Sequence, residues 1–136
     1  MINGMKVLFV CTGNSFRSAV AEALLKKLRN DLEVESAGTH PARKIASNAK
    51  MLLEEEGALE NLKKRPEGIE KKNLEEYDLI VAMKERHKHE ILQEFPQVKG
   101  KIRVWDIDDP IHLPNGSDRE VLQEIKKKVA ELAESI

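Results

Sequence analysis

The chain has 136 residues, 40% hydrophobic and 35% charged, with 23 basic against 24 acidic side chains and a net charge of -1. This is the make-up of one soluble globular domain, residues 1–136, and its balance gives no reason to expect nucleic acid as a partner. No stretch approaches the roughly 20 apolar residues that span a bilayer, and one cysteine, Cys11, permits neither an internal disulfide nor a Cys-based zinc cluster. The opening MINGMKVLFVCTGN lacks a basic leader and a small-residue cleavage site, so a reducing cytoplasm is the expected setting.

Along the chain, MKVLFVC is a short, nearly continuous apolar run and predicts a strand buried on both faces. A tight polar loop follows, then a helix through SAVAEALLKKLRN with Ala19, Val20, Ala23, Leu24 and Leu28 at helical spacing. LEVES (32–36) predicts a second strand, ending in the loop AGTHPARK. SNAKMLLEEE predicts a helix stopped by Gly57 in a left-handed cap. YDLIVAM (77–83) is a β-branched run, and the charged helix behind it reaches Phe95 and is closed by Pro96.

KIRVWD (101–106) predicts the last strand. The polar loop IDDPIHLPNG then leads into SDREVLQEIKKKVAEL, where Ser117 and Glu120 match a capping box and Val121, Ile125, Val129 and Leu132 share one face. Strands and helices alternate throughout, which predicts an α/β fold with a parallel sheet and helices on both faces. In such folds ligands sit at the carboxyl ends of the strands, where strand order reverses. The loop after the first strand is CTGNSFRS, so the lone cysteine falls in the expected crevice.

That loop has the chemistry of an anion site. Backbone N–H groups of a strand-to-helix turn converge on one spot and carry partial positive charge. Gly13 permits positive φ, and Asn14 tolerates it better than most residues. Arg17 can add a bidentate fork to two oxygens of a bound oxyanion. The same field favours a Cys11 thiolate, and Ser18 is placed to donate a hydroxyl to the sulfur. A thiolate beneath a phosphate is poised for in-line attack, splitting one hydrolysis into two easier steps through a cysteinyl-phosphate. A buried structural thiol is the bland alternative. The leaving group needs a proton, and the loop after the last strand offers Asp106, Asp108 and Asp109; spacing does not choose between Asp108 and Asp109.

The run VLFVCTGNSFRSAVAEALL, with ESAGTHP, YDLIVAMKERH and the DP of IDDPIHLPNGSD in order, resembles the low-molecular-weight protein tyrosine phosphatases. The resemblance implies a four-stranded parallel sheet, no metal and no cofactor. It implies Cys11 as nucleophile, Arg17 as phosphate-binding arginine and Ser18 as the hydroxyl that stabilises the thiolate. Asn14 is then the residue that shapes the loop, Ser36 its supporting serine, and Asp109, the acid before proline, the general acid. Thr12, Gly13, Asn14, Ser15 and Phe16 are expected around the substrate phosphate, with Ile111 and His112 at the mouth.

Three departures separate this chain from many members. Phe16 stands where a second cysteine is common, so oxidised Cys11 has no intramolecular thiol to trap it. Ile111 and His112 replace two tyrosines of the eukaryotic type. Ser15 replaces a larger aliphatic residue and resembles a branch that hydrolyses phosphoarginine. Thioredoxin-coupled arsenate reductases also carry a small hydroxyl residue there, but their cycle needs additional cysteines that this chain lacks.

The expected function is therefore hydrolysis of protein phosphotyrosine, with phosphoarginine as the alternative. An arsenate-related enzyme or a phosphate-binding module without turnover stands further off. Expected partners are a phosphorylated protein, phosphate and other oxyanions as inhibitors, and at most a weak homodimer. His87 and His89 lie two positions apart on a helix and do not share a face, so no shared metal is expected and a solvated basic patch is. Trp105 is expected either at the pocket wall or in the core.

Overall fold

A computed structural model describes residues 4–136. The reading of the first residues as leaderless depends partly on positions 1–3, which lie outside the described residues. Strand β1 (Lys6–Cys11) is followed by helix α1 (Arg17–Leu28), strand β2 (Glu33–Gly38) and helix α2 (Ser47–Glu55). Then come strand β3 (Leu79–Ala82), helix α3 (Glu85–Glu94), strand β4 (Ile102–Val104) and helix α4 (Ser117–Ser135). The four strands are all parallel in the order β2-β1-β3-β4, the predicted architecture.

The apolar run of β1 is continuous because both of its faces are covered. Val7, Phe9 and Cys11 point into a core shared with α1, α2 and α4, including Leu25, Leu52, Leu53, Val121, Ile125 and Val129. Leu8 and Val10 point the other way, against Ile80, Ile91, Tyr77 and Val98 beneath α3 and the 3-10 turns. Alternate residues of one strand thus serve two cores, as the pleat requires. Among the described residues no helix is long and apolar enough to cross a membrane.

After β1 the chain crosses to β2 on one side and returns to β3 on the other. The crevice at the carboxyl end of β1 is therefore the switch point, and the loop from Cys11 to Arg17 sits in it.

Several local expectations are corrected. Ser117 is the first residue of α4 rather than its cap: Gly116 caps it at φ 91 and no side chain caps the helix, so no capping box forms. Leu28, placed on the apolar face of α1, is 54% exposed because it lies in the final turn, beyond the covered part of the helix. β2 begins at Glu33 and runs on to Gly38, since β1 offers pairing partners as far as Cys11. β3 is confined to Leu79–Ala82. The predicted helix stop is present: Gly57 has φ 72 directly after the cap of α2.

β4 is shorter than the predicted 101–106. The Trp105 and Ile107 N–H groups still bond to the Ala82 and Met83 carbonyls, but Asp106 between them adopts φ 59 and bulges out. Trp105 leans on Phe9 with ring centroids 5.4 Å apart, which gives it the core role. Ile107 is buried, and Asp106 and Asp108 are turned to the outside.

Candidate active site

The loop from Cys11 to Arg17 is shaped by its neighbours. The N–H groups of Thr39, His40, Ala42 and Ala46 donate to the carbonyls of Cys11, Thr12, Gly13 and Ser15. With those carbonyls drawn outward, the peptide planes turn their N–H groups inward, and the Asn14 N–H lies 3.3 Å from Cys11 Sγ. Asn14 holds φ 56, the left-handed conformation anticipated for it. The close approach of β2 depends on Gly38, where a Cβ would fall 2.5 Å from the Thr12 carbonyl oxygen.

Beneath this loop lies a buried polar network with a fixed direction. Asn14 Oδ1 accepts from Lys63 Nζ at 2.7 Å and from the Glu67 N–H at 2.9 Å. Both partners can only donate, so the amide nitrogen must face the other way. There Asn14 Nδ2 donates to Ser18 Oγ at 2.8 Å and to Ser36 Oγ at 2.9 Å. Ser36 passes its hydrogen to Glu22 Oε1 at 2.6 Å, and Glu22 pairs with Lys26. Ser18 Oγ accepts from Asn14 and keeps its hydrogen free, and a Cys11 thiolate, which can only accept, takes that hydrogen at 3.0 Å. The orientation of one amide thus sends a hydroxyl hydrogen to the sulfur.

Arg17, only 2% exposed, reaches across the crevice. Its Nη1 donates to the Ile107 carbonyl at 2.9 Å, and its Nη2 lies 3.4 Å from Asp109 Oδ2. Asp109 Oδ1 accepts the Ile111 N–H at 3.1 Å, which fixes the carboxyl at the start of the turn Pro110–His112. The two neighbouring acids are occupied elsewhere: Asp106 and Asp108 both pair with Lys84 Nζ, at 2.7 and 2.6 Å. Asp108 is held below the usual carboxylate range by that ammonium. Of the three aspartates, Asp109 is the one beside Arg17.

A cleft of about 720 Å³ opens above the loop, lined by Thr12, Gly13, Ser15, Phe16, Asp109, Ile111 and His112 among others. Ile111 is 79% exposed at its rim. Every residue expected in the site is therefore placed in this crevice or in the network below it. Three residues with no sequence expectation join them: Glu22, Lys63 and Glu67. Lys63 sits in LKKRPEG, where nothing local separates it from a solvated charge run.

His87 is the further correction. It was expected in a solvated patch but is fully buried, with Nε2 2.8 Å from Thr12 Oγ1 and Nδ1 accepting the Lys84 N–H at 3.1 Å. Burial, reinforced by the Arg17 and Arg86 cations, lowers its pKa to about 4, so the ring is neutral near pH 7. His89 is exposed on another face of α3, as the spacing predicted. Among the described residues no cluster of three or more His, Cys, Asp or Glu side chains is arranged for a metal ion.

Comparison with known proteins agrees with this fold. The sequence profile described as low molecular weight phosphotyrosine protein phosphatase matches residues 6–136. The chain is 33% identical to a protein-arginine-phosphatase of Geobacillus stearothermophilus, over 96% of this chain and 95% of that one. It is also 33% identical to the low molecular weight protein-tyrosine-phosphatase Wzb of Salmonella typhimurium, over 88% and 83% of the two chains. The crystal structure of a low molecular weight protein tyrosine phosphatase from T. tengcongensis superposes with a TM-score of 0.87 at 27% identity, covering 97% of this chain and 99% of that one. With a family profile matched over residues 6–136 and relatives one-third identical over most of both chains, the chain belongs to the low molecular weight phosphotyrosine protein phosphatase family of hydrolases.

Proposed function

We propose that this chain hydrolyses a phosphorylated side chain of a protein through a cysteinyl-phosphate, with phosphotyrosine as the substrate. The observation that carries the reading is the opposition of Cys11 Sγ, bonded to Ser18 at 3.0 Å, and the Arg17–Asp109 pair at 3.4 Å. In the first step the Cys11 thiolate attacks phosphorus, a P–S bond forms, and the bond to the leaving oxygen breaks. That oxygen takes a proton from the Asp109 carboxyl. In the second step water attacks phosphorus, gives its proton to the Asp109 carboxylate, and the thiolate departs. Arg17 and the loop N–H groups hold the equatorial oxygens in both steps.

The expected result is metal-independent hydrolysis of p-nitrophenyl phosphate at mildly acidic pH in the presence of chelator. Cys11→Ser should abolish it, and Asp109→Ala should slow it by about 10²–10⁴-fold, the worth of a general acid. Folded, reduced protein that binds phosphate without turning over the ester would overturn the reading in favour of a binding module.

Phosphoarginine is the second reading. Ser15, a small hydroxyl residue, lines the cleft, and a named arginine phosphatase matches over nearly the full length of both chains. Replacing Ser15 with isoleucine discriminates between the two. If the natural substrate is phosphoarginine, Ser15→Ile should lose phosphoarginine turnover while retaining aryl phosphate turnover. If it is phosphotyrosine, wild type should already prefer phosphotyrosine peptides.

A further inference from the structure

The contact between α3 and the loop has no part in the mechanism above. Thr12 immediately follows the nucleophile and lines the cleft, half-buried. Its Oγ1 lies 2.8 Å from His87 Nε2 and 3.5 Å from Arg86 Nη2. The tautomer of His87 follows from its other nitrogen: Nδ1 accepts the Lys84 N–H at the start of α3, so in the neutral ring the proton resides on Nε2. Nε2–H therefore donates to Thr12, and the guanidinium beside it can only donate as well. Both lone pairs of the threonine oxygen are directed at donors. What Thr12 has left is its own hydrogen, on a side chain at the cleft.

We infer that His87 is a positioning residue that fixes the Thr12 hydroxyl as a hydrogen-bond donor to a phosphoryl oxygen in the cleft. The inference rests on the phosphatase reading for its substrate, but the bond itself concerns any bound phosphate. A hydroxyl free to rotate presents a lone pair to an entering anion for part of the time, which repels it. One locked from behind presents only its hydrogen. The arrangement makes the first turn of α3 part of the anion site even though no residue of α3 need touch the anion.

The test measures inorganic phosphate affinity by titration calorimetry, alongside kcat and KM for p-nitrophenyl phosphate. The proteins compared are wild type, Thr12→Val, His87→Leu, His87→Gln and the Thr12→Val/His87→Leu double variant. Thr12→Val keeps the shape of the side chain and removes the donor, so phosphate affinity should fall about 5- to 10-fold, the net worth of one hydrogen bond. His87→Leu should produce a similar fall, and the double variant no more than the larger single one, because both act through the same bond. His87→Gln, whose amide can donate to Thr12, should recover most of the loss, which a merely structural role for the ring would not produce.

Unchanged phosphate affinity in folded Thr12→Val, or losses that add in the double variant, would overturn the inference. Wild type that binds phosphate but does not turn over the ester would remove the phosphatase reading and leave the inference to be decided by the affinities alone.

Discussion

Protonation of His87 should be visible as a pH dependence of stability. The ring is buried, and its pKa of about 4 compares with about 6.5 for an unfolded histidine. As pH falls below about 6.5 the unfolded chain takes up a proton that the folded protein refuses until about pH 4. Unfolding is therefore favoured progressively across that window; the contribution is intact above it and lost below it. One proton corresponds to about 1.36 kcal/mol per pH unit, so the span amounts to about 3 kcal/mol. Urea unfolding of wild type and His87→Gln at pH 7, 6, 5 and 4 measures it. Glu35 and Glu67, held below their usual range by lysines despite the opposing effect of burial, also weaken the fold in acid. They do so in both proteins and cancel in the difference. Wild type should lose about 3 kcal/mol more than the variant between pH 7 and 4. Parallel curves would refute the claim that the ring is held neutral by its surroundings.

Lys63→Met keeps the stem of the side chain and removes the ammonium that orients the Asn14 amide. With one of its two fixed donors gone, the amide can turn and draw the Ser18 hydrogen away from the sulfur. A hydrogen bond to a charged group is worth about 1.5–3 kcal/mol, so kcat for p-nitrophenyl phosphate should drop about 10- to 100-fold in stopped-time assays. Gly38→Ala drives a methyl to 2.5 Å from the Thr12 carbonyl oxygen, a backbone atom with little room to give. Thermal melts should show a loss of about 1–3 kcal/mol, with phosphate affinity falling alongside as the loop is displaced. Prolonged peroxide should inactivate the protein in a way dithiothreitol does not reverse, because Cys11 is the sole cysteine, and mass spectrometry should find sulfinic or sulfonic acid at that residue.

The parts of the site visible in the sequence are those that the local chain makes by itself. β1 announces itself because both its faces are buried, and the turn after it carries Gly13, Asn14 and Arg17 in one short run. Asp109 was singled out from its neighbours only by resemblance. Physically, what separates it is the bulge at Asp106, a backbone event set by pairing with β3 that has no signature in composition. His87 and Lys63 were unreadable for a related reason. Each lies in a charged run suited to solvent, and His87 is buried and Lys63 half-buried only because another element, the loop in both cases, arrives against it. Ser117 shows the opposite error, where a valid local pattern lost to a left-handed glycine one position earlier.

The bond from Arg17 to Asp109 joins residues 92 positions apart, and it spans an all-parallel sheet in which no two neighbouring strands are joined by a hairpin. Such topologies have high contact order and close late in folding. As the chain emerges in order, Cys11 appears long before the residues that oppose it. Until β4 docks, the thiol has no acid facing it, and Arg17 lacks the Ile107 and Asp109 partners that hold it across the crevice. Catalysis therefore reports completion of the whole fold rather than of its amino-terminal half, and the onset of turnover during refolding can serve as a clock for the docking of the last strand.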